Sequence, residues 1–344
     1  MLYSYFSPHA KSWSAQVYPG TPTFSLQPLF FMSASLTEIF EYENFFYETY
    51  HNENNIIRQD SPELNLVNFL CAGDVDGAMS LFQEYQQFGN VKSTVDVPQG
   101  RFEGLDEIQD FCSNWLNYAK ADSSYAVPVK QTRSGGRSCT ELMLHFRYDK
   151  YGKEVKFPAC VVGDLRGHGQ LDEVRMYFFF KWLPDLSPYR HRIFRPSHNA
   201  QVEHNYVCNV IREYSDALAN LHFKGGIERI LNTMTDDIVY GGYRPESISG
   251  IIKGKEKIEK KYRTFVNVPQ IVRFESIIDN GLTSVCEWVG VRRDDYIGNR
   301  IPLLQSGVGI YDRDPESGKI KAVRIIDNFR FENEIDWSKA DILY

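Results

Sequence analysis

Hydrophobic and polar positions along this chain fall into helical spacing first and strand alternation second, and that order occurs twice. Leu36 to Tyr50 carries Phe, Tyr and Glu at helical spacing. Asp60-Ser61-Pro62-Glu63 then gives a polar cap with proline in the first turn, and Leu64, Val67 and Cys71 follow on one helical face. Ala72-Gly73-Asp74-Val75-Asp76-Gly77 breaks that helix, and Ala78 to Tyr85 predicts a second, short one. A strand around Val91 to Val97 leads to a helix over Leu105 to Ala119. Strands are predicted near Tyr125 to Arg133, Cys139 to Asp149, Lys156 to Asp164 and Leu171 to Trp182, with Asp149-Lys150-Tyr151-Gly152 as a hairpin turn. After a proline-bearing stretch the order returns. Helices are predicted over Val202 to Asn220, Ile227 to Thr235 and Gly254 to Val266, with a strand opening at Asp236. Strands then fall near Ile271 to Asp279, Thr283 to Arg293, Pro302 to Asp312 and Lys319 to Phe331. Helices followed by antiparallel strands describe an α+β class, not the alternation of a parallel sheet.

The recurrence extends to individual words. Phe102-Glu103-Gly104-Leu105-Asp106-Glu107-Ile108 returns as Ile252-Lys253-Gly254-Lys255-Glu256-Lys257-Ile258, 150 positions on. Val174-Arg175-Met176 returns as Val323-Arg324-Ile325 at 149, and Glu141 matches Glu287 at 146. A repeat of about 150 residues is a whole domain, not a solenoid unit. The expected organisation is an irregular arm over 1–35, a first domain over 36–183, a linker over 184–201 and a second domain over 202–344.

Composition narrows the function classes. The net charge is −7, and the lysines of 253–261 are interrupted by Glu256 and Glu259, so no basic stripe for nucleic acid stands out. The six cysteines include no C-x-x-C pair, which reads as free thiols in a reducing, cytoplasmic setting. No apolar run approaches 18 residues, so no membrane span is expected, and the first 31 residues lack the order of a signal peptide. There is no phosphate-binding glycine loop and no Gly-x-Ser-x-Gly elbow. His191, His198 and His204 have spacings that fit no common metal-ligand pair, so neither metal nor cofactor is expected. Aromatics reach 14%, which serves a packed core or a pocket for a hydrophobic ligand.

The order of elements resembles the nuclear transport factor 2-like superfamily, in its SnoaL-like branch. Three sequence words carry the resemblance. One is Asp236-Asp237-Ile238-Val239-Tyr240 after an amphipathic helix. Another is the G-x-x-x-G-x-x-x-I entry to a helix, seen at Gly250, Gly254 and Ile258 and again at Gly100, Gly104 and Ile108. The third is the break at Ala72-Gly73-Asp74. The resemblance spans about residues 60–183 and 202–332. It implies two tandem cone-shaped α+β barrels, each with helices packed in a curved antiparallel sheet, forming a pseudo-dimer, with self-association through the sheets as a further option. Isomerases, dehydratases, polyketide cyclases and epoxide hydrolases occur in the superfamily, as do non-catalytic domains, so function has to come from the site.

Strand alternation picks out the candidates. Val323, Ile325, Asp327 and Phe329 share a face, making Asp327 a carboxylate in an apolar row and a candidate general base. Glu287 interrupts the row Thr283, Val285, Val289 and Val291, as the expected partner of Asp327 or as an ion-pair or interface residue. In the first copy Phe178 takes the place of Asp327, and Glu141 with His145 forms an alternative pair. His222 and Tyr262 are expected on helices lining the second cone, as polarising groups of the kind the resemblance implies. The expected function is a cofactor-free acid/base isomerase, cyclase or dehydratase acting on a hydrophobic small molecule. The rival is a binding protein for such a ligand or for another protein.

Overall fold

A computed structural model describes residues 61–82, 92–97, 100–165, 169–178, 207–242, 251–266, 270–292 and 302–327. The N-terminal arm, the linker, His191, His198 and His204 lie outside the described residues, as does the segment after Asp327.

The first half opens with helices α1 (Pro62–Ala72) and α2 (Val75–Met79). Gly73, left-handed at φ 69°, closes α1, and the Asp74 carboxylate caps α2 through the Gly77 amide. Short strands β1 (Thr94–Val97) and β2 (Gly100–Glu103) lead to α3 (Leu105–Ser113) and α4 (Trp115–Ala119). The long strands β3 (Ser123–Ser134), β4 (Arg137–Tyr148), β5 (Lys153–Leu165) and β6 (Leu171–Phe178) complete it. The second half repeats the plan. It has α5 (Asn209–Ala219), α6 (Gly226–Asn232), β7 (Met234–Gly242), β8 (Ile251–Lys253) and α7 (Lys255–Phe265). β9 (Gln270–Asp279), β10 (Thr283–Arg292), β11 (Pro302–Arg313) and β12 (Ile320–Asp327) follow.

The two sheets have matching strand orders, β2-β1-β6-β5-β4-β3 and β8-β7-β12-β11-β10-β9. The expected antiparallel sheet is corrected to a mixed one, because β1 runs parallel to β6 and β7 parallel to β12. The long strands are joined in sequence order by short connections, which enforce antiparallel pairing. β1 is remote in sequence from β6, so no turn sets its direction. Two further differences are local. The helix expected over 105–119 breaks at Asn114, and the short strands β2 and β8 sit where the sequence suggested only helix entries.

Each sheet wraps its own helices around an apolar interior. In the first half Phe111, Trp115, Phe146 and Phe178 pack there, with Trp115 and Phe178 edge to face at 6.4 Å. In the second, Ile211, Ile230, Ile238, Ile258 and Trp288 are part of the equivalent cluster. A third cluster lies between the halves, where Cys139, Cys160, Val162 and Tyr177 of the first sheet meet Ile278, Val285, Val308, Ile310 and Ile326 of the second. Each sheet is therefore buried on both faces, one against helices and one against its sister sheet, and the pair forms the expected pseudo-dimer.

Candidate functional site

The interior of the second cone differs from the first at four equivalent positions. Tyr214 on α5 corresponds to Val67 on α1, counting from the helix caps Cys208 and Ser61. Tyr262 on α7 corresponds to Cys112 on α3, counting from Gly254 and Gly104. Tyr240 pairs with Val323 as Val95 pairs with Val174, and Tyr311 pairs with Val323 as Gly163 pairs with Val174. All four tyrosines belong to the second core cluster. The Tyr214 and Tyr262 hydroxyls lie 2.7 Å apart in a buried hydrogen bond, and the rings of Tyr214 and Tyr311 approach to 5.0 Å. Burial pushes the hydroxyls of Tyr214, Tyr262 and Tyr311 well above the usual tyrosine range, so they stay protonated and act as neutral donors near neutral pH. Space for Tyr311 comes from Gly309 on the same strand, where an added Cβ would fall 2.6 Å from the tyrosine oxygen. Lys261 places its ammonium 4.5 Å from the centre of the Tyr240 ring.

Asp327 is the last residue of β12 and pairs with Gly307, which pairs in turn with Trp288. The corresponding row of the first half is Phe178, Ala159 and Leu142. The Asp327 side chain is outside the described residues.

Neither glutamate faces a cone interior. On β10, Cys286 and Trp288 belong to the interior cluster while Val285 belongs to the cluster between the halves, so Glu287 faces the sister sheet. Its carboxylate accepts from Arg175 at 2.5 and 3.0 Å and from the Tyr177 hydroxyl at 2.8 Å. Glu141 is its mirror, accepting from Arg324 at 2.8 and 3.2 Å. The apolar row around Glu287 is real, but both faces of this sheet are buried, so an apolar row alone does not identify the interior. The reading as an interface residue fits, with Arg175 as the partner that sequence did not identify.

Two aspartates extend this network. Asp164 receives Arg175 and Arg137, and Asp312 receives Arg324 and Lys130. Burial by itself would raise both carboxyls, but the two cations beside each hold them below the usual range. The second cation changes strand between the halves. Arg137 on β4 also donates to Ser276 at 2.6 Å, whereas Lys130 on β3 reaches Asp312 together with the Thr283 hydroxyl. Lys130 and Ser276 are equivalent positions, as are Arg137 and Thr283.

His145 and Glu141 are not brought together. The His145 ring stacks on Tyr125 at 4.1 Å and its Nδ1 lies 3.3 Å from Glu154, which also accepts from Tyr125. His222 is corrected from a helix to the turn between α5 and α6, beside the exposed Phe223. Tyr262 does line the second interior. The sequence did not point to Tyr311, Arg175 or the two network aspartates, and it offered Arg324 as an ion-pair partner for Glu287 or Asp327, whereas Arg324 pairs with Glu141. The repeated Val-Arg word at 174–175 and 323–324 was the available signal for the arginines.

No protein-family model matches the chain, and no curated protein matches it. Solved structures do. An NTF2-like protein of unknown function from Cytophaga hutchinsonii is 13% identical over 35% of this chain and 87% of its own, with a TM-score of 0.25. An LEH-like epoxide hydrolase from M. tuberculosis is 18% identical over 35% of this chain and 80% of its own, TM-score 0.26. A putative ketosteroid isomerase from Kribbella flavida is 15% identical over 36% of this chain and 78% of its own, TM-score 0.26. These are similarities only, and the two-unit architecture stands on the chain's own strand order and register. The chain carries two tandem α+β cones of the kind that the nuclear transport factor 2-like resemblance implies, packed sheet to sheet as a pseudo-dimer.

Proposed function

We propose that the second half is a cofactor-free acid/base enzyme for a hydrophobic carbonyl compound, and that the first half is its structural partner. The observation carrying this reading is the hydrogen-bonded Tyr214–Tyr262 pair in an interior whose counterpart positions are Val67 and Cys112. Neutral phenols in a dry interior are suited to donate to an oxygen that gains negative charge. Asp327, placed by strand alternation on the Val323 and Ile325 face, is the assigned base. Its carboxylate takes the proton next to the carbonyl, a tyrosine hydroxyl holds the enolate oxygen, and the proton returns at another carbon. That sequence is an isomerisation, and loss of a β-hydroxyl from the same enolate, with the proton returned to it by the Asp327 carboxyl so that water leaves, makes it a dehydration.

Asp327 acts without Glu287 in this scheme, because Glu287 is held by Arg175 and Tyr177. The test is deuterium uptake from solvent into a panel of cyclic and polycyclic ketones, followed by NMR. Uptake catalysed by the wild-type chain and abolished by Asp327→Asn supports the enzyme. Binding without uptake in both favours the second reading, a ligand-binding protein, for which the Tyr214–Tyr262 bond uses one hydroxyl proton and leaves the other to a ligand oxygen.

A further inference from the structure

At the base of the second cone a guanidinium closes a polar site. Arg313 donates from Nη1 to Ser284 at 2.5 Å and to Asp279 at 3.1 Å, and from Nη2 to Asp279 at 2.7 Å. The same Nη1 lies 2.9 Å from the sulfur of Cys208, the cap of α5.

The equivalent place in the first half has the acceptors without the guanidinium. Ser138 corresponds to Ser284, and Ser61, the cap of α1, to Cys208. Leu165 stands where Arg313 does. It follows Asp164 across a register break as Arg313 follows Asp312 across its own. The acid has moved as well. The counterpart of Asp279 is the exposed Arg133, and the carboxyl comes instead from Glu63 in the first turn of α1.

Glu63 is 0% exposed, Ser138 4% and Ser61 6%. Glu63 Oε1 accepts from the Thr140 hydroxyl at 2.9 Å. Glu63 Oε2, Ser138 Oγ and Ser61 Oγ are buried with no protein hydrogen-bond partner. The glutamate lies over the Ser138–Gly163 pair of β4 and β5, at a point where a Cβ on Gly163 would come 3.2 Å from Glu63 Cβ. A glycine there keeps open the approach of the carboxyl. Leaving three such oxygens unmatched is costly, and a buried carboxyl with one hydroxyl donor calls for a cation more than for further acceptors.

We propose that Glu63, Ser138, Thr140 and Ser61 form a binding site for a small monocation that donates hydrogen bonds, such as ammonium or the head of a guanidinium or primary amine. The ligand takes the place that the Arg313 side chain fills in the second half. The site is separate from the tyrosine cluster and does not depend on the proposed enzymatic function.

The test is thermal unfolding of the full chain in ammonium chloride against tetramethylammonium chloride at equal ionic strength, since the second cation cannot donate. The expected result is a saturable, ammonium-specific rise in Tm of about 2 °C or more. Leu165→Arg, which supplies a tethered guanidinium, should start at a higher Tm and lose the response. Glu63→Gln should lose it too, and Ser138→Ala should weaken it several-fold. Equal responses to the two salts would overturn the proposal and leave a water-filled site. An ammonium-specific response that persists undiminished in Leu165→Arg and Ser138→Ala would place the cation elsewhere and overturn it equally.

Discussion

Arg324 on the last strand of the second half donates to Glu141 on the first sheet at 2.8 and 3.2 Å, and Arg175 on the first sheet donates to Glu287 on the second. The pairs exchange one arginine and one glutamate across the interface, as two copies of a self-complementary dimer would. All four side chains are buried, so removing one partner strands a charge. Glu141→Ala and Glu287→Ala should each destabilise the chain by about 3–5 kcal/mol in urea unfolding. A loss below about 1 kcal/mol in both would deny the interface its electrostatic role.

The buried, ion-paired aspartates also set an acid limit. Asp164, Asp279 and Asp312 have folded-state pKa values held below the ordinary range, against the raising effect of burial, by the arginines and, at Asp312, Lys130 beside them. Depressed carboxyls contribute stability that is present above their unfolded pKa, about 3.9, and lost as pH falls toward the folded value. Tm should therefore hold steady from pH 7 to about 5 and fall steeply below about pH 4. The fall should be shallower in Asp312→Asn, which starts less stable. A Tm that declines evenly across pH 5 to 7 would assign the acid response to other groups.

Cys139 and Cys160 sit between the sheets with sulfurs 2.9 Å apart, and burial pushes both thiols up. Their counterparts in the second half are Val285 and Val308. The double variant Cys139→Val with Cys160→Val should cost less than about 1.5 kcal/mol, as volume-conserving apolar exchanges do. In the native chain both thiols should resist alkylation until the sheets part, which mass spectrometry after a timed maleimide pulse would reveal.

Tyr214→Phe and Tyr262→Phe each break the same 2.7 Å hydrogen bond. Each should cost about 0.5–1.5 kcal/mol, and the double variant less than the sum, because one bond is lost twice on paper and once in fact. Additive losses would mean that the hydroxyls act on separate partners.

The duplication, the α+β class and most strands were legible in the sequence because they depend on local alternation and on repeated words. The partners of Glu141 and Glu287 were not. Arg324 and Arg175 lie 183 and 112 residues away in sequence, and no local pattern specifies which buried face meets which. Asp327 was found as a carboxylate in an apolar strand row, and Tyr262 was expected to line the second cone, but the four tyrosines as one cluster followed from no sequence rule. Val67 and Cys112 become Tyr214 and Tyr262 once the helix caps align the halves, and Val95 and Gly163 become Tyr240 and Tyr311 once strand register does. Glu63 reads in sequence as an ordinary first-turn acid, and its burial depends on Gly163, a hundred residues on.

The second cone is the proposed seat of the chemistry. The decisive measurement is a thermal-shift screen of hydrophobic carbonyl compounds against wild type, Asp327→Asn, Tyr262→Phe and Phe178→Ala. The expected result is a ligand that raises the wild-type Tm, keeps its effect in Phe178→Ala and loses most of it in Tyr262→Phe and Asp327→Asn. A ligand whose effect survives both second-half variants and disappears in Phe178→Ala would place the binding site in the first cone instead.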